Sequence, residues 1–180
     1  MKRQHIGLYL SILILAGCTS IPEANEKNQT MFIGEISFEG SGFSDNLVSL
    51  NGMHKTGIEI TIQNTMNQKT HILHSDSKGR FYSVNIPEGN YRISKLLFQS
   101  TSNASSWITN PRIATFTIRH GIVNNFGNLS WKREYRAGNI SNDSFYHNPD
   151  DGLVRNNFEQ RHPKSGWNEK RWFYLLGSGF

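Results

Sequence analysis

The stretch Gly57-Ile-Glu-Ile-Thr-Ile-Gln63 constrains the fold more than any other part of this chain. Ile58, Ile60 and Ile62 alternate with Glu59, Thr61 and Gln63, which puts three β-branched side chains on one face of a strand and polar ones on the other. One face must therefore meet a core. From Met31 to Trp131 the chain repeats this grammar, short apolar segments separated by Gly, Asn, Asp and Pro, with no long helical period. Such spacing predicts an all-β sandwich over residues 31–131.

Further strands are read the same way. Met31 to Phe38 forms a first strand in which Phe32, Ile36 and Phe38 share a phase and Ile33 takes the other, leaving its facing undecided. Thr70 to Ser75 returns after a turn at Asn64–Lys69, with His71 and Leu73 on one face and Ile72 and His74 on the other. Asp76-Ser77-Lys78-Gly79 and Pro87-Glu88-Gly89-Asn90 are turns around a strand from Phe81 to Ile86, and Tyr91-Arg92-Ile93 begins the next. Phe81 and Ile86 lie five apart and cannot both face a core on a regular strand, so either a bulge intervenes or Val84 takes the core phase. Arg112–Arg119, with Ala114, Phe116 and Ile118 in phase, and Ile122–Trp131, with a bulge at Gly127, read as two more strands joined by a tight hairpin turn at His120-Gly121.

The residues Asp76, Gly79, Phe81, Ile86, Pro87, Gly89, Tyr91 and Ile93 resemble the turn-and-strand signature of the carboxypeptidase regulatory-like domain. The likeness is close over Gly57–Phe98 and looser over Met31–Trp131. It implies a transthyretin-like, Ig-like Greek-key β-sandwich without catalytic residues of its own, in which Gly79, Phe81, Pro87, Gly89 and Tyr91 serve turns and scaffold. The segment Asn46–Thr56, longer than a minimal hairpin, and the residues after Trp131 depart from that pattern and leave room for a partner site.

The N-terminus reads as an export signal, with Lys2 and Arg3 preceding the apolar run Ile6–Ala16. That run is shorter than the roughly 20 residues needed to span a bilayer. Leu15-Ala16-Gly17-Cys18 resembles the lipobox of bacterial lipoproteins. The resemblance implies cleavage between Gly17 and Cys18, a diacylglycerol and a fatty acyl chain on Cys18, and, with Thr19 following, transfer to the outer membrane, on its periplasmic or surface side. Cys18 is the single cysteine, so the exported chain has no disulfide to stabilise it. Residues 18–30 are polar and are expected to form a flexible lipidated tether. Removing residues 1–17 also removes two of the five net positive charges, and the rest are dispersed, unlike the basic stripe of a nucleic-acid binder.

The tail, residues 132–180, changes character. Tyr135–Asn148 is polar and Asn-rich and reads as a long loop or a partly ordered segment. Asp150-Asp151 can cap a helix running to Arg161, with Val154 and Phe158 on one face and Pro163 beyond its end. Arg171–Leu176 reads as a final strand. Trp167, Arg171, Trp172 and Tyr174 are the candidate binding residues, able either to dock an envelope protein, to stack on a glycan, or to seal the open end of the sandwich. Seven histidines are scattered without ligand spacing, and no metal or cofactor is expected beyond the lipid on Cys18. Ser75-Asp-Ser-Lys78 has the Ser-x-x-Lys spacing of penicillin-interacting enzymes but falls on a strand end and a turn, where that spacing loses its helical geometry. Catalysis is not expected.

Overall fold

The computed structural model describes residues 21–24, 28–41, 57–99, 106–109, 111, 115–136, 139–149 and 152–175. The export signal, Gly17, Cys18 and the Asn46–Thr56 segment lie outside them. In chain order the elements are β1 (Met31–Ser41), β2 (Ile58–Asn64), β3 (Thr70–His74), β4 (Arg80–Val84), β5 (Gly89–Gln99), β6 (Ser106–Thr109), β7 (Phe116–Ile118), β8 (Val123–Arg136), β9 (Asn139–Asn148), helix α1 (Leu153–Arg161), a 3-10 turn (Gly166–Glu169) and β10 (Trp172–Tyr174). Two five-stranded sheets result. One runs β10-β8-β1-β4 with β9 also on β8; the other runs β3-β2-β5-β6 with β7 also on β5. Among the described residues the fold is all-β with one short helix.

Ile58, Ile60 and Ile62 are at most 1% exposed and point into the space between the sheets, as their alternation predicts. Phe32, Phe81, Phe116 and Phe126 meet them there, with Phe32 stacked on Phe116 at 5.3 Å and Phe126 edge-on to Phe116 at 5.3 Å. Two bulges let the long strands keep this core supplied. On β8 the register moves from Ile33 opposite Asn125 to Glu35 opposite Asn128, and Gly127 sits there at φ 80. The extra residue reverses the alternation, so Phe126, Leu129 and Trp131 all face inward. On β5 the register moves from Thr61 opposite Lys95 to Ile62 opposite Ile93, and Tyr91, Ile93 and Leu96 share the core in the same way.

The Phe81–Ile86 conflict is resolved by a third device. Asn85 takes φ 60, which ends β4 and turns Ile86 inward, while Val84 faces the opposite side of its sheet. Asn is among the few residues that tolerate this conformation.

The odd-numbered phase of β1 answers the undecided facing of that strand, because both phases are buried. Met31 and Ile33, with Val123, form a second core on the outer face of the first sheet, covered by Val154 and Phe158 of α1 and by Trp167 and Trp172. The molecule is thus layered: polar outer face, sheet, inner core, sheet, outer core, and a lid of helix and tail.

Three expectations need correction. His120-Gly121 does not close a hairpin, since β7 pairs with β5 and β8 with β1, β9 and β10. The chain instead crosses between sheets at this corner, and the Asn124 side chain clamps it, accepting from Arg119 N at 2.9 Å and donating to Arg119 O at 2.9 Å. Tyr135–Asn148 is not a long loop; its described residues hold the end of β8 and β9, which pair antiparallel. The third concerns residues 18–30. Where described, they are docked and not tethering: Ile21 and Thr30 are buried, Pro22 O accepts from Trp167 Nε1 at 2.8 Å, and Gln29 O accepts from Lys170 Nζ at 3.0 Å. α1 ends at Arg161 as predicted, but it begins at Leu153, and Gly152, not Asp150 or Asp151, occupies its N-cap position with no side-chain cap.

A candidate binding cleft beside the helix

β3 and β4 are edge strands of opposite sheets, and they come together on one side of the sandwich. Facing them across a cleft of about 720 Å³ is α1, held there by Val154 and Phe158 in the outer core. The floor is apolar, from Ile21, Ile33 and Leu73, and the exposed Ile72 stands on the β3 wall. Polar groups ring it: Glu35, His74, Asp76, Arg80, Tyr82, Arg161 and His162.

The Asp76–Gly79 turn fixes one wall. Asp76 Oδ1 accepts from Lys78 N at 2.8 Å and Arg80 N at 3.0 Å, and Oδ2 accepts from Arg80 Nε at 2.7 Å. Burial acts to raise the Asp76 pKa, but the Arg80 guanidinium and these backbone N–H groups outweigh it and hold the carboxyl below its ordinary value. Gly79 closes the turn at φ 80, with its carbonyl accepting from Ile36 N at 2.8 Å. On the opposite wall, burial and the nearby Arg80 charge lower the Arg161 pKa, with Asp76 and Glu35 partly compensating. His162 is pushed down by burial and by Arg161, against the pull of Glu23. Burial raises the Tyr82 phenol. Two guanidiniums and two carboxylates share this rim, which is therefore polar and nearly neutral.

The candidate residues of the tail are dispersed by the fold. Trp167 is fully buried and Trp172 is 8% exposed; their rings pack under α1, with Trp172 Nε1 donating to Trp167 O at 3.2 Å. Their stacking faces are occupied by packing, so they seal the outer core. Arg171 is exposed, and Tyr174 is half-buried at the edge of a smaller hollow where Arg119 lies 3.7 Å over the Phe173 ring. The scaffold residues hold the places that turn chemistry requires. Phe81 and Tyr91 are 1% exposed, Tyr91 Oη donates to Pro87 O at 2.9 Å, and Gly89 sits at φ 149 with Asn64 Nδ2 only 2.7 Å from where a Cβ would be. The Ser75 hydroxyl of the Ser-x-x-Lys spacing accepts from Ile58 N at 2.7 Å and is 7% exposed, in a structural role. Among the described residues no group of three or more His, Cys, Asp or Glu side chains could hold a metal ion.

Sequence reading missed the cleft because its walls come from distant segments. Arg161 and His162 read only as the end of a helix, and Asp76 and Arg80 only as a turn and the residue after it. Their meeting depends on α1 folding back over the sheet.

No family model matches the chain, and no curated protein does. Among solved structures, a leucine-rich repeat protein from Bacteroides thetaiotaomicron matches with a TM-score of 0.33 and 14% identity, over 71% of this chain and 19% of that one. The chain thus spans about a fifth of that protein's length, and the match carries no argument about fold or function.

Proposed function

We propose that this chain is a lipid-anchored protein of the bacterial cell envelope whose transthyretin-like sandwich is a non-catalytic binding module for another envelope protein. The observation that carries the binding reading is the build of the cleft. Two strand edges flank an apolar floor with charges of both signs at the rim, the combination by which a protein segment adds to a sheet edge and seats alternate side chains in pockets. The glycan alternative asks for exposed aromatic faces, and Trp167 and Trp172 have theirs buried.

The anchor rests on Leu15-Ala16-Gly17-Cys18, with diacylglycerol and a fatty acyl chain on Cys18, and Thr19 directs the protein to the outer membrane. The transthyretin-like assignment is supported by Gly79 and Gly89 at positive φ and by Phe81 and Tyr91 in the inner core. The experiment is crosslinking of the lipoprotein in its own cells, comparing wild type with Ile72→Asp and Arg161→Glu. A discrete envelope protein captured by wild type and lost in both variants supports the reading. Capture that persists in both removes the cleft from it, and folded wild type capturing no protein turns the assignment to a small ligand or glycan.

A further inference from the structure

Residues 21–24 are strapped to the domain. Ile21 is 8% exposed in the outer core, Pro22 O accepts from Trp167 Nε1 at 2.8 Å, and the Glu23 carboxylate accepts from Gly166 N at 3.2 Å. A Cβ on Gly166 would lie 3.5 Å from Ala24 Cβ, so the strap runs across the turn that leads out of α1. Three residue steps separate Cys18 from Ile21, about 10 Å when fully extended. The head-group layer beyond the hydrocarbon takes up roughly 6 Å of that reach. A free tether of thirteen residues would instead give a mean span of about 20 Å.

We infer that this face of the domain lies directly on the bilayer surface, an inference that rests on the lipid-anchored reading above. Pro22, Glu23, Pro163 and Lys164 are exposed on or beside the strap and its turn, and they meet the head groups, with Lys164 placed to pair with lipid phosphate. The opposite outer face, carrying Glu59, Gln63 and Arg92, points away from the membrane. Ile21 also lines the cleft. The cleft therefore lies beside the strap and close to the bilayer, and a protein segment that fills it also runs near the membrane.

The test uses the full acylated protein in vesicles of phosphatidylethanolamine and phosphatidylglycerol. The Cys18 sulfur is blocked by its thioether, so a thiol introduced by Lys164→Cys or Arg92→Cys takes a donor fluorophore alone, with an acceptor on the lipid head groups. The two sites are separated by the helix layer and both sheets, about 20 Å at ~10 Å per layer. Energy transfer should be several-fold stronger from residue 164 than from residue 92, and a twelve-residue Gly/Ser insertion after Ser20 should erase the difference. Equal transfer from both sites, with the acyl groups on Cys18 confirmed by mass spectrometry, would overturn the inference and leave the anchor standing. A contrast that survives the insertion would overturn the strap as its cause. Absence of acyl groups from Cys18 would overturn the anchored reading and this inference together.

Discussion

Gly79→Ala should destabilise the domain by about 3 kcal/mol, made of two separable parts. An L-residue in the left-handed region costs roughly 1–2 kcal/mol, and Gly79 sits at φ +80. The added Cβ would lie 1.9 Å from the Ile36 carbonyl oxygen, whereas carbon–oxygen contacts settle near ~3.3 Å. Relief requires β1 and the turn to separate by about 1.4 Å, which breaks the bond from Ile36 N to Gly79 O and removes about 1 kcal/mol more. Gly152→Ala is the control: it also has positive φ, at +106, but its nearest neighbour is Asn156 Nδ2 at 3.9 Å. It should lose only the torsional part. Urea unfolding followed by fluorescence of the buried Trp131 and Trp167 reports both, and at roughly 2–4 °C per kcal/mol the Gly79 variant should melt about 6–12 °C lower. Equal losses in the two variants would refute the steric argument, because only the φ term would then be at work.

Other outcomes follow from the buried polar groups. His147 donates Nε2–H to Phe126 O at 2.5 Å; burial lowers its pKa from 6.5 despite that bond, so its stability contribution is full above pH 6.5 and declines as pH falls below it. A melting-temperature series from pH 7.5 to 5 should fall in wild type and fall less in His147→Gln, with His162, shifted the same way, keeping part of the slope. The Asp76 carboxyl is held below 3.8, so its contribution is present above that pH and is lost as pH drops through the folded value. Asp76→Asn should flatten the acid limb of a separate series carried from pH 5 to below 3.8. Trp167→Phe removes the donor to Pro22 O and should cost about 1–3 kcal/mol, with faster protease cleavage within residues 21–30 by mass spectrometry.

Much of the inner core could be read in advance because its strands alternate cleanly. Ile58, Ile60 and Ile62 needed only their spacing, and Gly127 betrayed its bulge by interrupting an apolar run. β9 was illegible for the opposite reason. It is an edge strand whose residues are mostly polar, with Phe145 packed against the inner core and His147 buried, so no period stood out. The outer core was signalled by β1, whose Phe32 and Ile33 are apolar in opposite phases, the mark of a strand covered on both sides. What covers it, Trp167 and Trp172, was visible as an aromatic cluster, but local pattern does not say whether an aromatic cluster faces inward or outward. The cleft was beyond reach because its walls meet only after the tail folds back.

The central pairing of the molecule joins Met31 to Val123, and the strap joins Pro22 to Trp167. A chain that leaves the ribosome or a translocation pore N-terminus first can form neither contact until most of its length has emerged. Loop closure over such separations slows the search for the native state. The same wiring leaves β1 without its parallel neighbour until residues 123–134 are made, so the first sheet and the outer core close only when β8 and β10 arrive, after the pairings among β1 to β5 have become available.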